Sequence, residues 1–288
     1  MNLRKATIVA LTVFSGILFA GVAANAQTQG SQPTQTPAPD DKSKTPAPAP
    51  LTLDSTPAPV NAEEDAAIKK FRDAPAADVV AKEKLGEDFL QKYPQSRYRA
   101  EVYSWLVKGY LSTGQVDKME AAGDKELEIM PNDAQTLAIM GSTLPRAMNA
   151  STPDPEKRLE KAETYSKKAL EIIPTYPKPD NVSEETFVTA KNQTMSLAYS
   201  GLGIVAIRRG KFAEAIPNLE QSVKLDPNPD PVNYYLLGMA NEKASHFDDA
   251  VTAFTKCAAI PGGTIQATCK AGADEAKKLG ATQLSAPK

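Results

Sequence analysis

Two adjoining stretches decide the architecture: SLAYSGLGIVAIRRGKFAEAIPNLEQSVKLDPNP (Ser196–Pro229) and PVNYYLLGMANEKASHFDDAVTAFTKCAAIPGGT (Pro231–Thr264). Shifted by 35 residues, Tyr199 falls on Tyr234, Leu202 on Leu237, Gly203 on Gly238, Phe212 on Phe247 and Ala215 on Ala250. Leu219 falls on Phe254 and Leu225 on Ile260. The spacing has a physical meaning. Tyr, Leu and Gly share one face of a first helix, and the Gly lets a second helix approach closely. The Ala on that second helix permits the same approach from the other side. The Leu or Phe four residues later fills the gap beyond. Two copies in tandem point to stacked helical hairpins, each covering the apolar face of the next.

These residues resemble the tetratricopeptide repeat, a helix-turn-helix unit of about 34 residues. Both units depart from it at the later Ala, where Ser222 and Cys257 stand, and in the second unit Pro261 arrives one place early. Weaker copies precede them. Tyr103, Leu106, Tyr110, Gly114, Met119 and Pro131 fit one register. Leu137, Gly141, Ala162, Ala169 and Pro174 fit another, and Phe89 and Pro94 end a degenerate first unit. The resemblance implies an all-α fold, an α-solenoid of tetratricopeptide-like hairpins over 61–280, with a C-terminal capping helix and a short disordered tail at 281–288. Helical periodicity predicts helices over 62–73, 76–92, 97–113, 116–130, 133–144, 156–173, 184–209, 211–225, 231–244, 247–260 and 264–279. Pro94, Pro131, Pro174, Pro227 and Pro261 stand where helices must stop. Pro217 falls inside a predicted helix, where it could kink the first turns. Extra residues near 145–155 and 175–194 read as insertions, the second lengthening the helix that follows.

Residues 1–60 have a different character. Arg4 and Lys5 precede an uncharged apolar run from Ala6 to Ala23, and Ala24-Asn25-Ala26 offers a cleavage pattern. Residues 1–26 therefore read as a signal peptide for export to the periplasm or beyond; the alternative is an uncleaved anchor. Residues 27–60 hold eight prolines among Gln, Thr, Ala and Ser. Their poverty in apolar side chains predicts a disordered Pro-rich linker, either a spacer or an inert tail. Phe89-Leu90 with Tyr93-Pro94-Gln95-Ser96 is similar to segments of envelope tetratricopeptide-type proteins, which agrees with export.

With 33 basic and 35 acidic residues the formal charge is −2. No basic surplus exists for nucleic acid or a polybasic membrane contact. One His and two Cys leave little for a metal centre. No catalytic, cofactor or metal site is expected. Gly201-Leu202-Gly203-Ile204-Val205-Ala206 fits a loose dinucleotide pattern, but it lies in a predicted helix with no strand before it. His246 falls at a turn between paired helices, and Glu63, Glu64 and Asp65 suit a helix start. Cys257 and Cys269 lie on the last repeat helix and the capping helix, joined by Pro261-Gly262-Gly263. In an oxidising compartment they could form a disulfide; the alternative is two buried thiols.

The inner face implied by the resemblance would bind a protein or peptide. Leu197, Ser200, Ile204, Ile207, Tyr235, Met239 and Glu242 fall there. An apolar groove of this kind suits an amphipathic helix or extended peptide; the alternative is that these side chains pack within the chain. The expectation is an exported, non-catalytic scaffold. The rival reading is an accessory or hydrolytic factor acting on wall polymers through Asp154, Glu156, Asp180, Glu184 or Glu185, whose spacing fixes no carboxylate pair.

Overall fold

A computed structural model describes residues 61–285 apart from Gly263. The expected signal peptide (1–26), the Pro-rich linker (27–60) and residues 286–288 lie outside the described residues. The described residues form eleven α-helices and one 3-10 turn, with no strand among them. They are α1 (Ala62–Asp73), α2 (Val79–Lys92), α3 (Arg99–Ser112), α4 (Val116–Ile129), α5 (Ala134–Ala147), α6 (Pro155–Ile172), α7 (Glu184–Arg208), α8 (Phe212–Leu225), α9 (Pro231–Lys243), α10 (Phe247–Ala259) and α11 (Gln266–Ser285).

Helix starts are set by short polar side chains that accept hydrogen bonds from otherwise unpaired backbone N–H groups. Asn61 accepts from Glu63 and Glu64, Asp133 from Thr136, Ser183 from Thr186 and Asp230 from Val232. Three hairpin turns are built alike. Gln115 N–H donates to Tyr110 O, Lys211 to Ala206 O and His246 to Asn241 O. The residue before each donor is left-handed: Gly114, Gly210 and Ser245. This is the Schellman closure of a helix C-terminus.

The helices pair as α1–α2, α3–α4, α5–α6, α7–α8 and α9–α10. Each second helix also packs on the first helix of the next hairpin, and α11 packs on α10. The result is an α-solenoid of five hairpins and a closing helix. Its core is a row of four clusters of buried apolar side chains. Phe71, Phe89, Leu106, Met119, Met140, Leu144 and Leu159 fill the N-terminal part; Leu219, Leu237 and Phe254 fill the C-terminal part. Each buried Leu, Phe or Met contributes roughly 1.5–3 kcal/mol by removal from water.

Two helices, α5 and α11, run past the ends that the periodicity predicts, while α7 follows it. Helix α5 passes through Pro145 to Ala147 instead of ending at 144. Pro145 lacks the N–H that would bond Gly141 O, and that carbonyl is where α7 crosses. Helix α7 is 25 residues long, so the extra residues after 175 do lengthen it. Helix α11 continues to Ser285, so residues 281–285, expected in the tail, are helical. Gly280 does not stop it, because α11 passes over Phe247 there, with room for no more than a tight contact at 3.3 Å. Pro217 leaves α8 unbroken and sits on its exposed side.

Candidate functional site

The first helices α5, α7 and α9 lie side by side. At the crossing of α5 and α7, a Cβ on Gly201 would stand 2.6 Å from Gly141 O and 2.5 Å from Ser166 Oγ. Only glycine permits that approach. Of the seven predicted groove residues, Ser200 is fully buried and Ile204 is 4% exposed, so both are packed within the chain. Leu197 and Ile207 are half-buried against the clusters beneath them. Tyr235 and Met239 are half-buried against Phe254, Ala273 and Ala276, beside the closing helix, with the Tyr235 ring 5.7 Å from that of Phe254. Glu242 is half-buried and pairs with Lys243. The face that stays partly open is therefore Leu197, Ile207, Tyr235, Met239 and Glu242.

A polar network under this face was not anticipated. Ser200 Oγ donates to Asn233 Oδ1 at 2.7 Å, and Asn233 Nδ2 donates to Ser222 Oγ at 3.1 Å. Ser196 Oγ donates to Ser222 O at 2.9 Å. Arg146, from the end of α5, reaches Asp230 at 2.6 Å and Asn233 at 3.2 Å. Buried hydroxyls and amides held this way fix the register of α5, α7, α8 and α9. The sequence carried one signal of it: Ser222 stands where the repeat has Ala. Cys257 occupies the matching place in the next unit, 3.2 Å from Pro231 O, as Ser222 meets Ser196.

Cys257 and Cys269 are joined as a disulfide between α10 and α11, with Cα atoms 5.8 Å apart. Gly201 and Gly203 serve helix packing: a Cβ on Gly203 would stand 2.6 Å from Leu219. His246 is the exposed N-cap residue of α10. Glu64 accepts from Ser96 Oγ at 2.6 Å, and Asp65 accepts from Tyr98 and Arg97, which hold its carboxyl below the usual range. These acids bind α1 to the start of α3. Glu156, at the first insertion, is paired with Arg209. Among the described residues no group of three or more His, Cys, Asp or Glu side chains could hold a metal ion, and no helix is long and apolar enough to cross a membrane.

Buried ionisable groups gather in the N-terminal half. Lys82 Nζ donates to Ala74 O at the end of α1 and lies over the rings of Phe71 and Trp105; burial lowers its affinity for a proton. Glu83 accepts from Thr113 Oγ1 at 2.8 Å and from Gln115 Nε2 at 2.9 Å, which pins the turn between α3 and α4. Glu126 is 1% exposed. Burial, then the charge of Asp133, pushes its carboxyl up to about 8. None of these residues announced itself in the sequence, because each reads there as an ordinary helical charge.

This architecture, a stack of helical hairpins with a closing helix, is the frame of repeat proteins. Residues 196–229 match the tetratricopeptide repeat family. Among solved structures, a thermophilic tetratricopeptide protein of Thermus thermophilus is similar at 17% identity and a TM-score of 0.45, over 75% of this chain and 99% of that one. PilW, a type IV pilus biogenesis factor, is similar at 19% identity and a TM-score of 0.46, over 77% and 93%. A MamA double mutant is similar at 14% identity and a TM-score of 0.46, over 78% and 99%. No curated protein matches the chain. The chain thus carries a tetratricopeptide repeat at 196–229 within a solenoid of hairpins.

Proposed function

We propose that the protein is an exported, non-catalytic scaffold that binds a protein or peptide on the face formed by α7 and α9. The observation that carries this reading is the tetratricopeptide repeat at 196–229, whose first helix supplies Leu197 and Ile207 to that face. Leu197, Ile207, Tyr235 and Met239 offer apolar area to an amphipathic helix or extended segment, and Glu242 offers one charge at the rim. Export is supported by the signal-like residues 1–26 and by the Cys257–Cys269 pair, a bond that suits an oxidising compartment. Residues 27–60 would then be a Pro-rich linker ahead of the solenoid.

Affinity capture from envelope extract tests the binding face, with Ile207→Ser combined with Glu242→Lys as the probe and circular dichroism to verify the fold. Loss of a specific partner is expected. Retention of every partner by the folded double variant would place the binding elsewhere. Cell fractionation with mass measurement of the mature N-terminus tests export: a chain beginning at Gln27 outside the cytosol is expected, and an intact Met1 in the cytosol would overturn it.

A further inference from the structure

The second and third hairpins meet through a polar joint. Glu126, near the end of α4, faces the first turn of α5, and its Oε2 has no hydrogen-bond partner. Four groups surround it. From α3 comes Lys108, half-buried, whose Nζ donates to Gln135 Oε1 at 2.9 Å. The N-cap of α5 contributes the Asp133 carboxylate, and α5 itself the Thr136 hydroxyl. From beyond α6 comes Tyr176, whose hydroxyl donates to Asn132 O and accepts from Ala134 N–H. At the later joints, between α6 and α7 and between α8 and α9, the buried polar groups are Ser166, Ser196, Ser222 and Asn233. Those side chains do not ionise near neutral pH. A carboxylate sealed at the joint, beside a second carboxylate and with one oxygen unmatched, would be costly to dock.

We propose that this joint is proton-operated: α4 and α5 stay docked while Glu126 carries its proton, and opening is coupled to release of that proton to water. The sign follows from linkage. Docked Glu126 holds its proton up to about pH 8, whereas exposed Glu126 would titrate near its ordinary value of 4.5. Between those limits the open state binds fewer protons, so opening grows as pH rises and levels off above about 8. Lys108 works in the opposite sense, since burial lowers its proton affinity; it is left intact in the first test below. A solenoid's curvature follows the small rotation between repeats, so a loosened joint would change the relative setting of the two halves.

Hydrogen exchange of the full chain, corrected for intrinsic rates, is the test. Protection at the end of α4 and the start of α5 is expected to fall by up to about tenfold per pH unit between about pH 5 and pH 8, with α9–α11 unchanged. Glu126→Gln should abolish that dependence. Lys108→Met removes the cation that favours the carboxylate, and should extend the window to higher pH. Flat protection in the wild type, or the same fall in folded Glu126→Gln, would overturn the proposal. A fall shared equally by α9–α11 would mark global unfolding and overturn it as well.

Discussion

In hairpins α7–α8 and α9–α10 a glycine on the first helix lies directly against one large side chain on the second. A Cβ on Gly203 would reach Leu219 at 2.6 Å, and one on Gly238 would reach the Phe254 ring at 2.7 Å. Phe254 is pressed again from the other side by Gly272 of α11. Hairpins α1–α2 and α3–α4 are assembled differently. There a Cβ on Gly86 would find side chains at 3.1–3.2 Å, a looser approach, and the seams hold Lys82, Glu83 and Glu126. Yet a Cβ on Gly123 of α4 would make as close an approach as those on the C-terminal glycines, 2.6 Å from Met140. What separates the halves is therefore the kind of buried polar group: ionisable side chains in the N-terminal seams, hydroxyls and amides in the C-terminal ones.

The contrast can be broken most severely at the closing helix. Replacing Cys257 and Cys269 by Ser, or reducing the pair, is expected to cost about 2–4 kcal/mol. Urea unfolding with and without reductant measures it. An unchanged midpoint would mean that Gly272 and Phe254 alone seat α11.

Next comes a pair of glycine replacements chosen from the two halves. Gly201→Ala forces a Cβ against the backbone of Gly141, which no side-chain rotation relieves. A loss of about 2–3 kcal/mol is expected. Gly86→Ala meets only side-chain atoms of Leu106, Phe71 and Val102. Its crowding is offset by about 1 kcal/mol of helix propensity, so a change near zero is expected. Equal losses at the two sites would show that crowding against backbone costs no more than crowding against side chains.

A smaller effect probes the N-terminal half directly. Glu83→Ala removes the acceptor for Thr113 and Gln115 at the α3–α4 turn. A loss of about 1–2 kcal/mol is expected. Thermal unfolding of the variant, beside Thr113→Val, shows whether the two changes are coupled, as partners in one contact should be.

Sequence reading reached the helix order because prolines and apolar spacing act locally. It placed all eleven helices, the turn at His246 and the pairing of Cys257 with Cys269. It misjudged what depends on one helix meeting another. Ser200 and Ile204 carry groove spacing, yet both are buried, Ser200 against Asn233, 33 residues further along the chain. Arg146 meets Asp230 and Asn233 across two hairpins, at separations of 84 and 87 residues. Glu126 looks like any exposed helical acid until α5 is laid over it. Gly280 and Ala281 look like the start of a tail until Phe247 is placed beneath α11.

The smallest effect concerns three turns that should be identical. Gly114, Gly210 and Ser245 each follow a first helix, with φ of 73°, 73° and 65°. Each is the residue through which the helix closes on its own last carbonyls. Glycine takes this left-handed conformation freely, whereas a side chain places Cβ near the following carbonyl at a cost of roughly 1–2 kcal/mol. Ser245 is exposed, so its side chain adds little packing that a glycine would forfeit. Ser245→Gly is therefore expected to stabilise the chain by about 1 kcal/mol, less than the strain because glycine also frees the unfolded chain. The reverse change, Gly210→Ser, should lose a similar amount, since nothing lies within 4 Å of a Cβ there and strain is the sole term. Chemical unfolding of both variants compares them. If neither moves the midpoint, the left-handed closure is relaxed by neighbouring backbone, and the regularity of the C-terminal half rests on its glycine-to-ring contacts alone.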